Sequence, residues 1–226
     1  MQPYFLPYIG YFQLINAVDQ FVIYDNIQYT KKGWINRNRF LQNGTDYLFT
    51  IPIQKGSDFL NISDRKIDSN FAKVKLLNKL RHAYEKAPFF TTTYPIIEDI
   101  IQHKQDNLFL YILNSVILIC RFLEIDTTII TSSTILIDHP LSGQNKVLAF
   151  CQKLEADVYI NAIGGQELYD KESFKKISCD LQFIKSDQIR YNQFAQPFVP
   201  NLSIVDVMMF NKKEDIRDML NQYSII

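Results

Sequence analysis

The first forty residues place a polar, glycine-containing turn, Gln2-Pro-Tyr-Phe-Leu-Pro-Tyr-Ile-Gly-Tyr-Phe-Gln13, ahead of an apolar helix. A buried strand follows and ends in Asp25. Turn, helix and carboxylate-terminated strand in that order are how α/β proteins build a ligand crevice at the carboxyl ends of their strands. The remaining periodicity agrees with that class. Phe21 to Tyr24 is a continuous apolar run bounded by Asp19 and Asp25, as in a strand covered on both faces. Ile9, Phe12, Ile15 and Ala17 form a helical stripe after Pro7. The fold expected is a Rossmann-like parallel sheet. The chain, however, opens directly on the Gln-Pro motif, without the strand from which such a turn hangs. Either the sheet lacks that strand or the true start lies upstream of Met1.

Further along, residues 47–53 read as a strand that Pro52 pushes to a sheet edge. Residues 62–68 read as a weaker extended piece. Helices are expected over 71–86, 94–102 and 107–123, a helical block between two α/β portions. Residues 127–132, 142–154 and 158–160 read as strand, helix capped by Ser142, and strand. A last strand is expected at 181–184, and closing helices at 203–210 and 214–223. This gives a single domain over 1–226, with an α/β core (1–70 and 126–200), a helical cap (71–125) and closing helices (201–226).

At 226 residues the chain is long enough to bury a core of its own. Its 24 basic and 24 acidic side chains cancel, so no global field draws it to nucleic acid or to an anionic membrane. The greasiest run, 108–123, is broken by Asn114, Ser115 and Arg121 before reaching the about 20 residues of a membrane span. No stable membrane insertion is therefore expected. Cys120, Cys151 and Cys179 are odd in number and widely spaced, which points to free thiols in the cytoplasm. The three histidines lack metal-ligand spacing, and no metal site is expected.

The densest chemistry is Lys32-Gly-Trp-Ile-Asn-Arg-Asn-Arg39, read as one short loop. Arginine forks match phosphate or carboxylate oxygens in pairs, carboxamides both donate and accept, and an indole offers a stacking face. Lys32, Trp34, Asn36, Arg37, Asn38 and Arg39 thus suit an anionic ligand such as a nucleotide-sugar. The competing reading has Arg37 and Arg39 paired with Asp25 or Asp46 as scaffolding, with Trp34 in the core. Asp25 and Gln28 are candidates for orienting an acceptor group. Gln2, Tyr4, Tyr8 and Tyr11 can offer polar atoms to the crevice. Gly164 and Gly165, followed by Gln166, allow close backbone approach at a strand end or supply a tight turn. Neither a Walker loop nor a Gly-x-Gly-x-x-Gly fingerprint is present.

The residues from Gln2 to Phe12, Asp25, Gln28 and Lys31-Lys-Gly-Trp-Ile-Asn-Arg-Asn-Arg39 together resemble the WbqC-like family of bacterial proteins. Three later segments are similar to it as well: Tyr84-Glu-Lys-Ala-Pro-Phe-Phe90, Ile160-Asn-Ala-Ile-Gly-Gly-Gln-Glu-Leu-Tyr169 and Phe198-Val-Pro-Asn-Leu-Ser-Ile-Val-Asp206. The resemblance implies a cytoplasmic role in surface polysaccharide (O-antigen, lipopolysaccharide) biosynthesis. The reaction it implies is aminoacyl (glycyl) or acyl transfer to a nucleotide-linked amino sugar. It also implies a short strand ahead of Gln2. A second likeness joins Tyr8-Ile-Gly-Tyr11 and Asp25 to the nucleotidylyltransferase layout, with tyrosines where that fold has histidines. ATP is the cofactor that likeness implies. The alternative function is a non-catalytic nucleotide-sugar-binding or scaffold protein.

Overall fold

In the computed structural model, which describes residues 1–194 and 197–226, helices and small sheets mix along the chain. The amino-terminal helix α1 (Ile9–Asn16) is followed by β1 (Gln20–Ile23), as its apolar stripe and strand run predict. Far along the chain, β4 (Thr128–Thr131) pairs with β1 in parallel, Gln20 opposite Thr128 and Ile23 opposite Thr131. Between them lie the hairpin β2 (Arg37–Gln42) and β3 (Thr45–Thr50), and the helices α2 (Lys73–Tyr84), α3 (Phe90–Gln102) and α4 (Leu108–Leu123). The chain continues through α5 (Gly143–Lys153), β5 (Val158–Ala162), α6 (Lys171–Lys175) and β6 (Asp180–Ser186). It closes with α7 (Ile204–Phe210), α8 (Lys213–Met219) and β7 (Tyr223–Ile225). β5 and β6 are parallel, and β7 joins β6 antiparallel. A mixed α/β fold is thus observed, with two separate parallel pairs rather than one continuous Rossmann-like sheet.

Several elements depart from the sequence expectation. Arg37 to Arg39, expected in a loop, open strand β2. Its partner begins just after Asn43 and Gly44, at φ 51° and 75°, the left-handed pair that a two-residue hairpin turn requires. The Asn-Gly dipeptide was the available signal. β3 ends at Thr50, before Pro52. Residues 62–64 form a 3-10 turn rather than an extended piece, and α3 starts at Phe90 with Pro95 inside it. Ser142 occupies the N-cap of α5, but its side chain makes no capping bond. Gly164 and Gly165 lie in a 3-10 segment, Ile163–Leu168, after β5. The second closing helix, expected at 214–223, ends at Met219; residues 220–222 are a turn and Tyr223 opens β7.

Two apolar clusters hold these elements. The larger gathers α1, β1, the hairpin and helices α2, α3, α4, α7 and α8; the smaller packs Val147, Cys151, Phe174 and Leu181 between α5, α6 and β6. α4 is one of the best-defined helices: the Asn107 side chain accepts from the Leu110 N–H, and Glu124 ends it in the left-handed conformation. No helix among the described residues is long and apolar enough to cross a membrane.

The larger cluster encloses one carboxylate. Asp206, fully buried, accepts from Tyr84 Oη (2.7 Å), Tyr191 Oη (2.6 Å) and Gln193 Nε2 (2.8 Å), with no cation in reach among the described residues. Tyr84 Oη in turn accepts from the Leu41 N–H, so one group ties α2, α7, β2 and the 191–193 segment together. Burial raises the Asp206 pKa, partly offset by those three donors. The Asp206→Ala change leaves the buried Tyr84 hydroxyl and the half-buried Tyr191 and Gln193 donors without this acceptor and is expected to cost about 3 kcal/mol of stability. Urea denaturation midpoints of the two chains measure it.

No strand precedes α1 among the described residues. Met1 instead makes a single step of parallel pairing: its amino nitrogen donates to Val22 O (2.6 Å), and the Tyr24 N–H donates to Met1 O (2.9 Å). Because alternate residues of β1 point to opposite edges, this is the edge facing away from β4. Beyond it a groove of about 540 Å³ separates β1 from β5, lined by Gln20, Val22, Phe150, Val158, Ile160 and Gln182 among others. Burial pushes the Met1 amine down to about 5 from its ordinary 8.0. In a chain beginning at Met1, the unfolded state then binds a proton between about pH 5 and 8 that the folded state does not. Stability therefore rises with pH across that window. Acetylating the amine should flatten the rise, as thermal melts from pH 5 to 8 on both forms would record.

Candidate functional site

The parallel pairing of β1 with β4 sets their carboxyl ends side by side, and the polar groups just beyond them interlock. Asp25, buried, accepts at Oδ1 from Ser132 Oγ (2.8 Å) and from the Ser133 N–H (2.9 Å), while its own N–H donates to Ser132 Oγ (3.3 Å). Asn26 Oδ1 is a second acceptor for Ser132 Oγ (2.8 Å) and accepts from Lys146 Nζ (3.3 Å). Because the Lys146 ammonium can only donate, it fixes the orientation of the Asn26 carboxamide. Its Nδ2 then faces His139 Nδ1 at 2.9 Å. The cluster thus joins β1, β4, the 135–142 connection and the first turn of α5.

Lys146 is 7% exposed and projects past the Tyr24 ring, 5.8 Å from its centroid. Burial lowers its pKa, and the nearby Asp25 carboxylate partly offsets that shift. Ser132, His139 and Lys146 were not singled out by sequence reasoning. For Lys146 a signal existed, since it falls on the same helical stripe as Val147, Phe150 and Cys151, where an aliphatic residue is the norm. Ser132 and His139 carry no such mark; only the β1–β4 pairing brings them to Asp25.

The cationic loop forms a separate constellation. Arg37 Nε donates to Gly33 O (2.8 Å) and its Nη2 donates to Lys32 O. Arg37 and Arg39 both lie over the Trp34 ring, at 5.6 and 5.3 Å from its centroid. Arg39 also pairs with Asp46 across the hairpin (3.0 Å). Trp34 is 42% exposed, so this is a surface stack of indole and two guanidinium groups rather than a core unit. Lys32 is exposed. Asn36 and Asn38 are buried and bonded to the framework. Asn36 accepts from Tyr29 Oη (2.8 Å) and donates to Ile51 O (2.7 Å); Asn38 donates to Leu6 O (2.8 Å). Gln28 is exposed and donates to Asp58 O, beside the Lys31–Asp58 ion pair.

The remaining positions divide similarly. Tyr11 is buried with its hydroxyl on Gln2 O (3.0 Å), and Tyr4 Oη donates to Gln2 Oε1 (3.4 Å). Tyr8 is half exposed and its ring covers Gly10. A Cβ there would sit 2.3 Å from the Tyr8 ring, so a larger residue would push that half-exposed ring aside. Burial raises the pKa of Tyr4 and Tyr8, which stay neutral hydroxyl donors. Gly165 packs on Asn161, whose Nδ2 would be 2.7 Å from an added Cβ, while Gly164 faces open space and Gln166 is exposed. That segment reaches α5 through the Asp170 N–H, which donates to Gln144 Oε1 (2.6 Å). All three cysteines are free and buried, and burial pushes Cys120 and Cys151 up to about 12, so neither supplies a thiolate. No group of three metal-ligating side chains is assembled among the described residues.

Set beside known proteins, the chain is 31% identical over 226 residues to the uncharacterized protein Rv1507c of Mycobacterium tuberculosis (strain ATCC 25618 / H37Rv). The alignment covers 97% of this chain and 95% of that protein. No solved structure matches it. Residues 2–218 match the WbqC-like protein family, so the Gln-Pro turn, the Asp25 cluster and the Tyr84–Asp206 bond all fall inside the matched region. The chain belongs to the WbqC-like protein family.

Proposed function

We propose that the chain is a cytoplasmic enzyme of surface polysaccharide biosynthesis that transfers an aminoacyl or acyl group to the amine of a nucleotide-linked amino sugar. The observation that carries this reading is Asp25, a buried carboxylate held in one orientation at the carboxyl end of β1 by Ser132 and Ser133. The reading treats the β4–β1 and β5–β6 pairs as halves of one Rossmann-like sheet divided by the groove, with 71–125 as a helical cap on a single domain.

In the reaction, the sugar amine attacks the acyl carbon of an activated donor. The C–N bond forms, the bond from the acyl carbon to its leaving group breaks, and Asp25 takes the proton the amine gives up. The Trp34 stack, flanked by Arg37 and Arg39, offers a face and positive charge to a nucleotide base or phosphate. Tyr8 supplies a neutral hydroxyl. A non-catalytic nucleotide-sugar carrier is the second reading. It is favoured by the framework bonds that occupy Asn36 and Asn38, which leave few loop groups free for chemistry.

Incubation with ATP, glycine and a dTDP- or UDP-linked amino sugar, followed by mass spectrometry for the amide, separates the two. Wild type should form product, and Asp25→Asn should slow it by about 10²-fold or more while leaving sugar binding within a few fold. Binding without product in wild type would replace the transferase with the carrier. Arg37→Ala should weaken nucleotide-sugar binding about tenfold in calorimetric titration, and an unchanged affinity would remove the Trp34 stack from the site.

A further inference from the structure

We infer that the groove between β1 and β5 is a slot for one further parallel strand, an apolar segment of about four residues with a cationic amino end that runs into Met1 from its amino side. The inference rests on the reading above that the two parallel pairs belong to one sheet; it makes no use of the transfer reaction.

Both strand edges that face the groove are unpaired. The Thr128 N–H donates to Asp19 O (3.0 Å), so Asp19, Phe21 and Ile23 serve β4 while Gln20, Val22 and Tyr24 point the other way. The Asp180 N–H likewise donates to Asp157 O (2.7 Å), so Tyr159 and Asn161 serve β6 and leave Val158 and Ile160 on the opposite edge. Neither of these outer edges has a strand partner among the described residues, and Gln20, Val22, Val158 and Ile160 all line the same cavity of about 540 Å³. The start of α5 bonds to the segments that follow both strands: Lys146 Nζ donates to Asn26 Oδ1 (3.3 Å) after β1, and Gln144 Oε1 accepts from the Asp170 N–H (2.6 Å) after β5. The carboxyl ends of β1 and β5 therefore lie at one end of the groove. Two unpaired edges running the same way across a cavity call for backbone donors and acceptors that a single extended segment supplies to both.

Met1 shows how that segment enters. Its nitrogen donates to Val22 O (2.6 Å) and its carbonyl accepts from the Tyr24 N–H (2.9 Å), the two bonds that a residue of a parallel strand makes beside Ile23. A peptide N–H in that place makes the same bond without a charge, whereas the terminal amine is buried there and held down to about 5. Counting back from Met1, the second residue ahead of it meets the Val22 N–H and the Gln20 carbonyl, and the fourth lies level with Asp19. Asp157 stands just ahead of β5 at the same end of the groove, so a cation in the fourth place has a carboxylate on either side. Leu14 and Ala17 at the end of α1 line the groove, as do Val147, Phe150 and Leu154 of α5. Right-handed crossovers through α1 to β1 and through α5 to β5 run in opposite directions across the sheet, which sets the two helices on opposite faces. The segment is then covered on both faces and apolar between its ends. With it in place the parallel strands read β4, β1, segment, β5, β6, which in chain order is the 3-2-1-4-5 of doubly wound nucleotide-binding sheets.

The test compares the chain beginning at Met1 with two versions extended ahead of it, by Lys-Val-Ile-Val in one and by Lys-Ser-Asn-Ser in the other. Hydrogen–deuterium exchange read by NMR at the Val22 and Ile160 amides reports on the two edges separately. With Lys-Val-Ile-Val both amides should exchange at least about 100-fold more slowly than in the unextended chain, and the melting temperature should rise by about 5 °C or more. With Lys-Ser-Asn-Ser both should exchange as they do without an extension. Protection of Val22 alone, equal protection by the polar segment, or no change at either amide overturns the slot. Should the extended chain fail to fold, the free peptide Lys-Val-Ile-Val added at millimolar concentration to the unextended chain reads the same two amides, and unchanged exchange then overturns it as well. No sugar or acyl donor enters the measurement. Protected amides without amide product remove the transfer reaction alone, and unprotected amides beside a working transfer remove the slot alone.

Discussion

The parallel pairing of β1 with β4 is the contact on which the candidate site depends. It joins segments more than a hundred positions apart and brings Asp25 and Asn26 beside Ser132 and Ser133. Four residues of β1, two of them buried, suffice because the strand is held on both edges, by β4 on one side and by the single Met1 step on the other. Once the strand ends are fixed, the connection after β4 has only a short path to α5, and that path delivers His139 and Lys146 to the same place. A side chain alone at a strand end is a weak feature; interlocked with four others from three further elements, it becomes a candidate site.

The amino-terminal motif divides into framework and surface. Buried members of the motif, Tyr11, Asn36 and Asn38, bond to backbone groups of the turn and the hairpin and hold their shape. The exposed Tyr8 and Trp34, with the half-buried Arg37 and Arg39 beside the indole, form a cationic aromatic surface. Arginine is suited to both tasks at once, since a guanidinium stacks on an indole through its face while its edge donates to carbonyl or carboxylate oxygens. Arg37 does the first with Trp34 and the second with the Gly33 carbonyl.

A comparable economy explains two of the later motifs. Tyr84 and Asp206 are 122 positions apart and meet in a bond of 2.7 Å. The buried carboxylate is satisfied by hydroxyl and amide donors rather than by a cation, which avoids desolvating a second charge. Those motifs thus serve the framework, whereas the Gly164–Gly165 segment stays at the surface beside α5.

Local pattern determined much of this protein. The α1 helix, the apolar strands β1 and β4, the helices α2 and α4 and the three free thiols follow from periodicity, breakers and cysteine spacing, all properties of a few neighbouring residues. The β2–β3 hairpin is equally local, marked by the left-handed pair Asn43-Gly44, although its first strand opens on the charged Arg37 and Arg39. Which strands pair was decided only by tertiary structure, as were the partner of Asp206 and the burial of Lys146 in polar company. Each depends on contacts between residues far apart in the chain, and a linear pattern holds no record of which distant groups desolvate one another.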